Sequence, residues 1–328
     1  MITVTGLSKS FSVHKKTPGL AGSFRSLFFR KKTVVQALDN VSLSIDKDEI
    51  VGLVGANGAG KTTLVKILSG IIHPDGGTIR VMGHDPWQRK NSFRSAISLI
   101  MGQKAQLWWD LPAADCFLLI REIYRIPSGD YEERLNYLAE ILDVKNQLTT
   151  QIRRLSLGER MKMELIAALL HEPKVVFLDE PTIGLDLTAQ KAIRRFILSY
   201  RDRHHPAMII TSHYMEDIRS LCERIIILRK GAVVYDGPLA HIVEEHAENK
   251  TITVVVEEAG SQAARSAELP SALGLLTKTT DRTLEFSVPR NRAAEAASFL
   301  LQHLPVEDLT ISEPDISTVI ESIMKEEA

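Results

Sequence analysis

Residues 49–64 read EIVGLVGANGAGKTTL. Within them, Gly55–Thr62 follows the pattern glycine, four residues, glycine, lysine, threonine. The apolar run EIVGLV ahead of it reads as a buried strand ending at Val54, and KTTLVKILSG behind it reads as a helix beginning at Lys61. That strand, loop, helix setting is what separates a phosphate loop from an ordinary glycine-rich turn. Gly55, Gly58 and Gly60 allow the backbone to turn tightly and to present amide hydrogens to phosphate oxygens, and the helix N-terminus adds its positive dipole end. Asn57, Ala59 and Thr63 complete the candidate nucleotide-binding loop, in which Lys61 would bridge the β- and γ-phosphates and the Thr62 hydroxyl would bind magnesium. The expected ligands are a nucleoside triphosphate and Mg2+.

The other half of such a site lies downstream. In KVVFLDE (174–180) an apolar strand delivers Asp179 and Glu180 at its C-terminal end, where open α/β sheets place their ligands. Asp179 suits the magnesium site, and Glu180 suits the group that orients or deprotonates an attacking water. Two adjacent acids beside a phosphate are costly without a compensating cation; the alternative is a solvated acidic turn before Pro181. A third strand, AMIIT (207–211), ends in Ser212 and His213, and an imidazole at that edge is placed to contact the γ-phosphate. Without this setting, such a histidine is more often a satisfied structural residue.

LSLGERMKMELIAALL (155–170) supports two readings. Ser156 and Glu159 form the pattern of a capping box, and Met161, Leu165, Ile166 and Leu169 recur at helical spacing, so a buried amphipathic helix follows. The same helix tip is also an anion site, since unpaired amides and the dipole end both face outward there. Spacing alone does not choose between the two.

The whole chain bounds the answer. Its 328 residues suit two domains, and a formal charge of −1 offers no global attraction to nucleic acid or anionic lipid. Cys116 and Cys222 are too few for a disulfide framework or a zinc site, which points to a reducing compartment. No apolar run reaches the roughly 20 residues needed to span a bilayer, and MITVTGLSKSF lacks a signal peptide's apolar centre. The expectation is a cytoplasmic chain that serves a membrane only from its surface. Strands and helices alternate as in an α/β fold with a largely parallel sheet. A helical subdomain is expected over about 91–170, and a second domain over 241–328. There TITVVVEE, LLTKTT, LEFSVP and DLTIS read as strands, and RNRAAEAASFLLQHL and PDISTVIESIMKE as helices, suggesting a small ferredoxin-like α+β domain.

Taken together, residues 1–240 resemble the nucleotide-binding subunit of an ABC transporter. The resemblance is carried in order by the phosphate loop, Gln103 in SLIMGQKAQLWW, LSLGE at 155–159, VVFLDE at 175–180, TIGLD at 182–186, and His213. It implies a P-loop NTPase of the RecA-like class with an inserted helical subdomain. It further implies that Phe11 stacks on adenine, that Gln103 senses the γ-phosphate and magnesium, and that Asp186 works at a dimer seam. The signature Ser156, Leu157, Gly158 and Glu159 would face the ATP held by the phosphate loop of an opposite subunit, in a head-to-tail homodimer or pseudo-symmetric dimer. Leu157 replaces the family's usual glycine, Glu159 its glutamine, and Asp48 the glycine ahead of the phosphate-loop strand.

Two stretches bear on a partner. Residues 12–36 form an insertion in which Leu20, Phe24, Leu27 and Phe28 share a helical face with Arg25, Arg30, Lys31 and Lys32 nearby, suited to lipid headgroups or to a permease, or equally to an ordinary surface cover. Trp108 and Trp109 follow Gln103; one is expected in the core and the other as a socket for a permease. These features and the extra C-terminal domain resemble ATPases of the ABC-2 exporter type, which lie on the inner face of the membrane beside separately encoded permeases. The alternatives are a soluble ATPase acting on nucleic acid or ribosomes, or an ATP-binding switch. The stretch from Lys61 to Ser156 leaves no room for the coiled coil of the DNA-repair members, and the single cassette differs from the ribosome-acting ones.

Overall fold

A computed structural model describes residues 1–14, 32–102, 104–246, 248–257 and 270–325. They divide into two compact units, Met1–Leu239 and Ala240–Ala328.

The first unit is built on a six-stranded sheet. Its strands are β3 (Ile50–Val54), β5 (Ile97–Met101), β6 (Val175–Asp179), β7 (Ala207–Thr211), β8 (Arg224–Arg229) and β9 (Ala232–Pro238), in the order β5-β6-β7-β3-β8-β9. All pairs are parallel except the edge pair β8–β9. Strands β3, β6 and β7 are buried at every residue, as expected of near-continuous apolar runs covered on both faces. A second, antiparallel sheet has the order β2-β1-β4, with β1 at Ile2–His14, β2 at Lys32–Ile45 and β4 at Gly76–Val81. Helix α1 (Lys61–Leu68) lies between the two sheets: Leu64, Val65, Ile67 and Leu68 join one core cluster with Val4, Leu7 and Val41 on one side and Leu53, Phe177 and Ile209 on the other. The phosphate loop is thus clamped from both sides.

After the short helix α2 (Asn91–Arg94) the chain forms β5 before any long helix. The helical stretch expected from about residue 91 therefore starts later, with α3 (Ala113–Tyr124) and α4 (Ser128–Ile141), followed by α5 (Leu157–Leu169). Five residues, ISLIM, are too few to reveal their period; pairing with β6 makes them a strand. Helices α6 (Leu187–His204) and α7 (Met215–Leu221) complete the unit. The expected insertion over 12–36 is also narrower, because Ser12 pairs with Val34 and Phe11 with Val35 in the β1–β2 ladder. Its proposed amphipathic face at Leu20, Phe24, Leu27 and Phe28 lies outside the described residues. Asp48 adopts a left-handed φ of 64°, a conformation that favours glycine and that aspartate tolerates better than most residues.

The second unit has a four-stranded antiparallel sheet, β11-β12-β10-β13, from β10 (Asn249–Val256), β11 (Leu275–Thr279), β12 (Thr283–Pro289) and β13 (Val306–Ser312). Alternate residues Ile252, Val254, Leu284, Phe286 and Val288 pack on Ala296, Ala297 and Leu300 of the helix Ala293–His303. Short helix His241–His246 and the last helix, Ile316–Lys325, pack on one another. Among the described residues, no helix is long and apolar enough to cross a membrane.

Phe177 sits at the middle of β6 with no exposed surface. Phe177→Ala should destabilise the first unit by about 3–5 kcal/mol, read as a lower urea midpoint.

Candidate functional site

Strands β6, β7 and β3 are neighbours and parallel, so their C-terminal ends meet at one rim. At the end of β3, the helix-capping residue Gly60 has φ 110° and supplies no side-chain cap, leaving the first-turn amides of α1 to other acceptors. A Cβ at residue 60 would overlap the Ala37 carbonyl oxygen of β2, so glycine is required on steric as well as conformational grounds. Lys61 is buried, and its ammonium donates to the carbonyls of Gly55 at 2.5 Å and Ala56 at 3.2 Å. Burial lowers its pKa, while the charges of Glu180 and Asp179 push it back up. A buried cation facing neutral carbonyls suits a polyphosphate. Ala59 is buried, Thr63 is half-buried, and Asn57 and Gly58 are exposed on the loop's outer side.

Asp179 is also buried. Its carboxylate accepts from the Thr62 hydroxyl at 3.1 and 3.4 Å and from the Thr211 hydroxyl at 2.6 Å. Thr211 in turn accepts from the Glu180 amide at 3.1 Å, and its carbonyl accepts from the same amide at 3.0 Å. Glu180 is held at φ 57°, a strained conformation for glutamate, and its Oε1 lies 2.7 Å from Nε2 of His213. Glu180 is largely covered and His213 partly exposed, so the pair opens from a dry interior to an accessible rim. Thr62 and Asp179 provide the hard oxygens magnesium prefers; that ion uses one or two protein oxygens and completes its shell with phosphates and water. No cage of three or more histidine, cysteine or acidic side chains occurs among the described residues, as such a shared site requires none.

The residues expected to act on a second nucleotide form a separate set at the tip of α5. Ser156 caps the helix: its hydroxyl accepts from the Glu159 amide at 3.2 Å, while Glu159 Oε2 accepts from the Ser156 amide at 2.9 Å and hydroxyl at 2.8 Å. These bonds, from the Ser156 backbone first and its hydroxyl second, lower the Glu159 pKa. Ser156 and Leu157 are exposed. Gly158 abuts Ala189, three residues after Asp186, whose side chain caps α6 by accepting from the Ala189 amide at 2.9 Å. The signature tip thus lies, within one chain, against both this helix start and the D-loop, TIGLD at 182–186, where a Cβ on Gly184 would be in ordinary contact with Leu157. Phe11 is partly exposed on the β1–β2 hairpin, with the Lys9 ammonium 5.5 Å from its ring centre. Gln103 lies outside the described residues. Trp108 and Trp109 are both about half exposed, so neither is the core residue expected from their adjacency; Arg160 of α5 lies over Trp109.

Three contributors carry no distinctive sequence signal or only a faint one. Thr211 is one polar letter closing an apolar strand. Gly102 is needed because a Cβ there would overlap the Glu180 carbonyl oxygen, a neighbour 78 positions away. Glu164 is visible as an acid on the buried stripe of α5: it accepts from the amides of Gln106 at 2.8 Å and Leu107 at 3.2 Å, and burial raises its pKa against those two bonds.

The ABC transporter family profile matches residues 38–183, and that of an EvrA-like ABC transporter C-terminal domain matches residues 248–312. The chain is 31% identical over 217 residues to the ABC transporter ATP-binding protein NatA of Bacillus subtilis, covering 66% of this chain and 88% of that protein. It is 32% identical over 289 residues to the daunorubicin resistance ATP-binding protein DrrA3 of Streptomyces coeruleorubidus, covering 87% and 90%. The chain belongs to the ABC transporter ATP-binding proteins. The fold also matches a dimeric ATP-binding cassette solved in a post-hydrolysis state with ADP and Pi, at a TM-score of 0.60 and 20% identity over 73% of this chain and 98% of that one. The cassette is therefore an ATP-binding and ATP-hydrolysing subunit that uses ATP with Mg2+, and cassettes of this family form dimers and work with transmembrane partners.

Gly102→Ala should displace residue 180 and cut turnover at least about tenfold while leaving ATP affinity nearly unchanged, measured by steady-state kinetics and equilibrium binding. Ionised Glu159 stabilises the fold because its folded pKa is depressed. That contribution is complete above the ordinary glutamate value of about 4.3 and is lost as pH falls through the lower folded value. The thermal midpoints of wild type and Glu159→Ala should accordingly differ at neutral pH and converge in acid.

Proposed function

We propose that this cassette drives an ABC-2 type exporter, lying on the inner face of the cell membrane as a homodimer or pseudo-symmetric dimer beside separately encoded permeases. The reading is supported by a division within the chain: the phosphate-binding lysine, the magnesium-type oxygens and the Glu180–His213 pair gather at one sheet rim, whereas the signature serine stands on a different, exposed helix tip. Likeness to an ATP-binding protein of daunorubicin resistance along most of the chain favours the exporter assignment. The antiparallel order of the second unit and its match to an accessory C-terminal domain favour a ferredoxin-like module over 241–328, beside an ATPase domain over 1–240.

In this reading Lys61 and the loop amides of Gly55, Asn57, Gly58, Ala59, Gly60 and Thr63 hold the phosphates, and Phe11 stacks on adenine. Thr62 and Asp179, with Gln103, hold magnesium, which when bound neutralises charge on the phosphates. Glu180 accepts a proton from water as its oxygen attacks the γ-phosphorus and the bond to the β-phosphate oxygen breaks, yielding ADP and inorganic phosphate. His213, braced by Glu180, donates to the γ-phosphate. Ser156 and Gly158 of the second subunit close over the same phosphate; Leu157 packs beside them, and Glu159 caps Ser156, which turns its charge from the nucleotide. Asp186 sets the D-loop at the seam. Hydrolysis removes the group both subunits grip, and the dimer loosens.

Glu180→Gln should dimerise with ATP, seen by light scattering, yet lose at least about a hundredfold in turnover; normal turnover would remove Glu180 from its role. Turnover per subunit should rise with protein concentration in the wild type, and a Ser156→Ala preparation should lose that rise; a rate independent of concentration would rule out the shared site.

A further inference from the structure

Behind the Glu180–His213 pair lies a buried polar network that the chemistry above does not use. Asp217 on α7 has no exposed surface, and its Oδ2 accepts from two hydroxyls, those of Thr182 and of Ser212, the latter at 2.6 Å. Its Oδ1 accepts from Nε of Arg194 on α6 at 2.6 Å. Thr182 is fully buried, and Ser212 and Arg194 nearly so. Thr182 stands two residues after Glu180, and Ser212 immediately precedes His213. Ser212 also accepts from the Tyr214 amide at 3.0 Å, so its side chain bridges the backbone across His213. The network continues from Arg194 to Gln190 at 3.3 Å and from Gln190 to the Leu185 carbonyl at 3.1 Å, one residue before Asp186.

We propose that Asp217, neutralised by Arg194, is a positioning residue that sets the separation of Glu180 and His213 by gripping both of their loops through one carboxylate oxygen. The inference rests on the roles given to Glu180 and His213 above. A buried carboxylate that accepts from an arginine and two hydroxyls cannot shift without leaving a buried polar group unsatisfied, so displacement of one loop is transmitted to the other. Glu180 needs such a restraint because its left-handed backbone is strained. Thr211 fixes its amide from one side, and the Thr182–Asp217 bond fixes the chain on the other. A network that served only to pack α6 on α7 would require neither hydroxyl.

The test uses the full chain with Thr182→Val and Ser212→Ala, each of which removes one arm of the grip and leaves the Arg194–Asp217 pair in place, alongside Glu180→Gln and His213→Ala. Each arm variant should lower kcat about tenfold while ATP affinity stays within about twofold and circular dichroism shows a folded protein. In protein carrying 15N-labelled histidine, the His213 ring signal, assigned by its loss in His213→Ala, should shift in Thr182→Val, although residue 182 lies on the other loop. Ser212→Thr, which keeps the hydroxyl, should retain more turnover than Ser212→Ala. If both arm variants keep wild-type kcat and the His213 signal stays in place while Glu180→Gln and His213→Ala lose turnover, the positioning role is wrong and the catalytic reading stands. If Glu180→Gln and His213→Ala keep turnover, the catalytic reading fails, and the inference with it.

Discussion

A buried carboxylate shared by three segments of the chain organises this site. Asp179 ends the strand β6 in a sheet whose neighbours end at the same level, with Asp179 paired to Thr211 and Leu53 of β3 paired to Thr211 from the other side. Removing an ionised group from water is tolerable only when its oxygens are satisfied. The hydroxyls of Thr62 and Thr211 meet that need, and in doing so tie the phosphate-loop helix and β7 to the same atom pair. Lys61 adds opposite charge nearby. The phosphate-loop helix, the acid-bearing strand and the histidine-bearing strand are thereby tied into one frame, the kind of preorganisation that electrostatic catalysis needs.

The second frame is the tip of α5. Its cap and its exposure are compatible because Glu159 turns back on the helix start, where its carboxylate accepts from the Ser156 amide and hydroxyl. The contact of Gly158 with Ala189 joins this tip to the N-terminus of α6, where Asp186 caps the helix. Signature and D-loop therefore form one surface. On the other side of α5, Glu164 holds the amides of Gln106 and Leu107, so the same helix also anchors the segment leading to the exposed tryptophans.

Much of this was legible in the letters. Glycine spacing followed by lysine and threonine announces a phosphate loop because few other uses require that backbone freedom beside a helix start. The apolar runs before Asp179 and Ser212 disclose buried strands, and Ser156 with Glu159 discloses a cap, since each rests on interactions within a few residues. Signals failed where the deciding partner is remote. ISLIM at 97–101 is ambiguous until β6 lies beside it. Gly102 is unremarkable until the Glu180 backbone runs against it. Trp108 and Trp109 do not split into one buried and one exposed ring: both are about half exposed, and a residue of another segment, Arg160 of α5, lies over Trp109.

The sequence by itself determined which groups are available: an ammonium, a hydroxyl, two carboxylates and an imidazole, each placed at a strand or helix end by local propensity and apolar period. Tertiary structure decided which of them meet. Only the strand order β6-β7-β3 brings Asp179 within reach of Thr62, 117 positions earlier, and Glu180 within 2.7 Å of His213. Only the docking of α6 and α7 makes Asp217 a common acceptor for the loops on either side. The physical reason is range: propensity and capping act over a turn or a strand, whereas hydrogen bonds between distant segments exist only after the core has packed and excluded the water that would otherwise satisfy those groups.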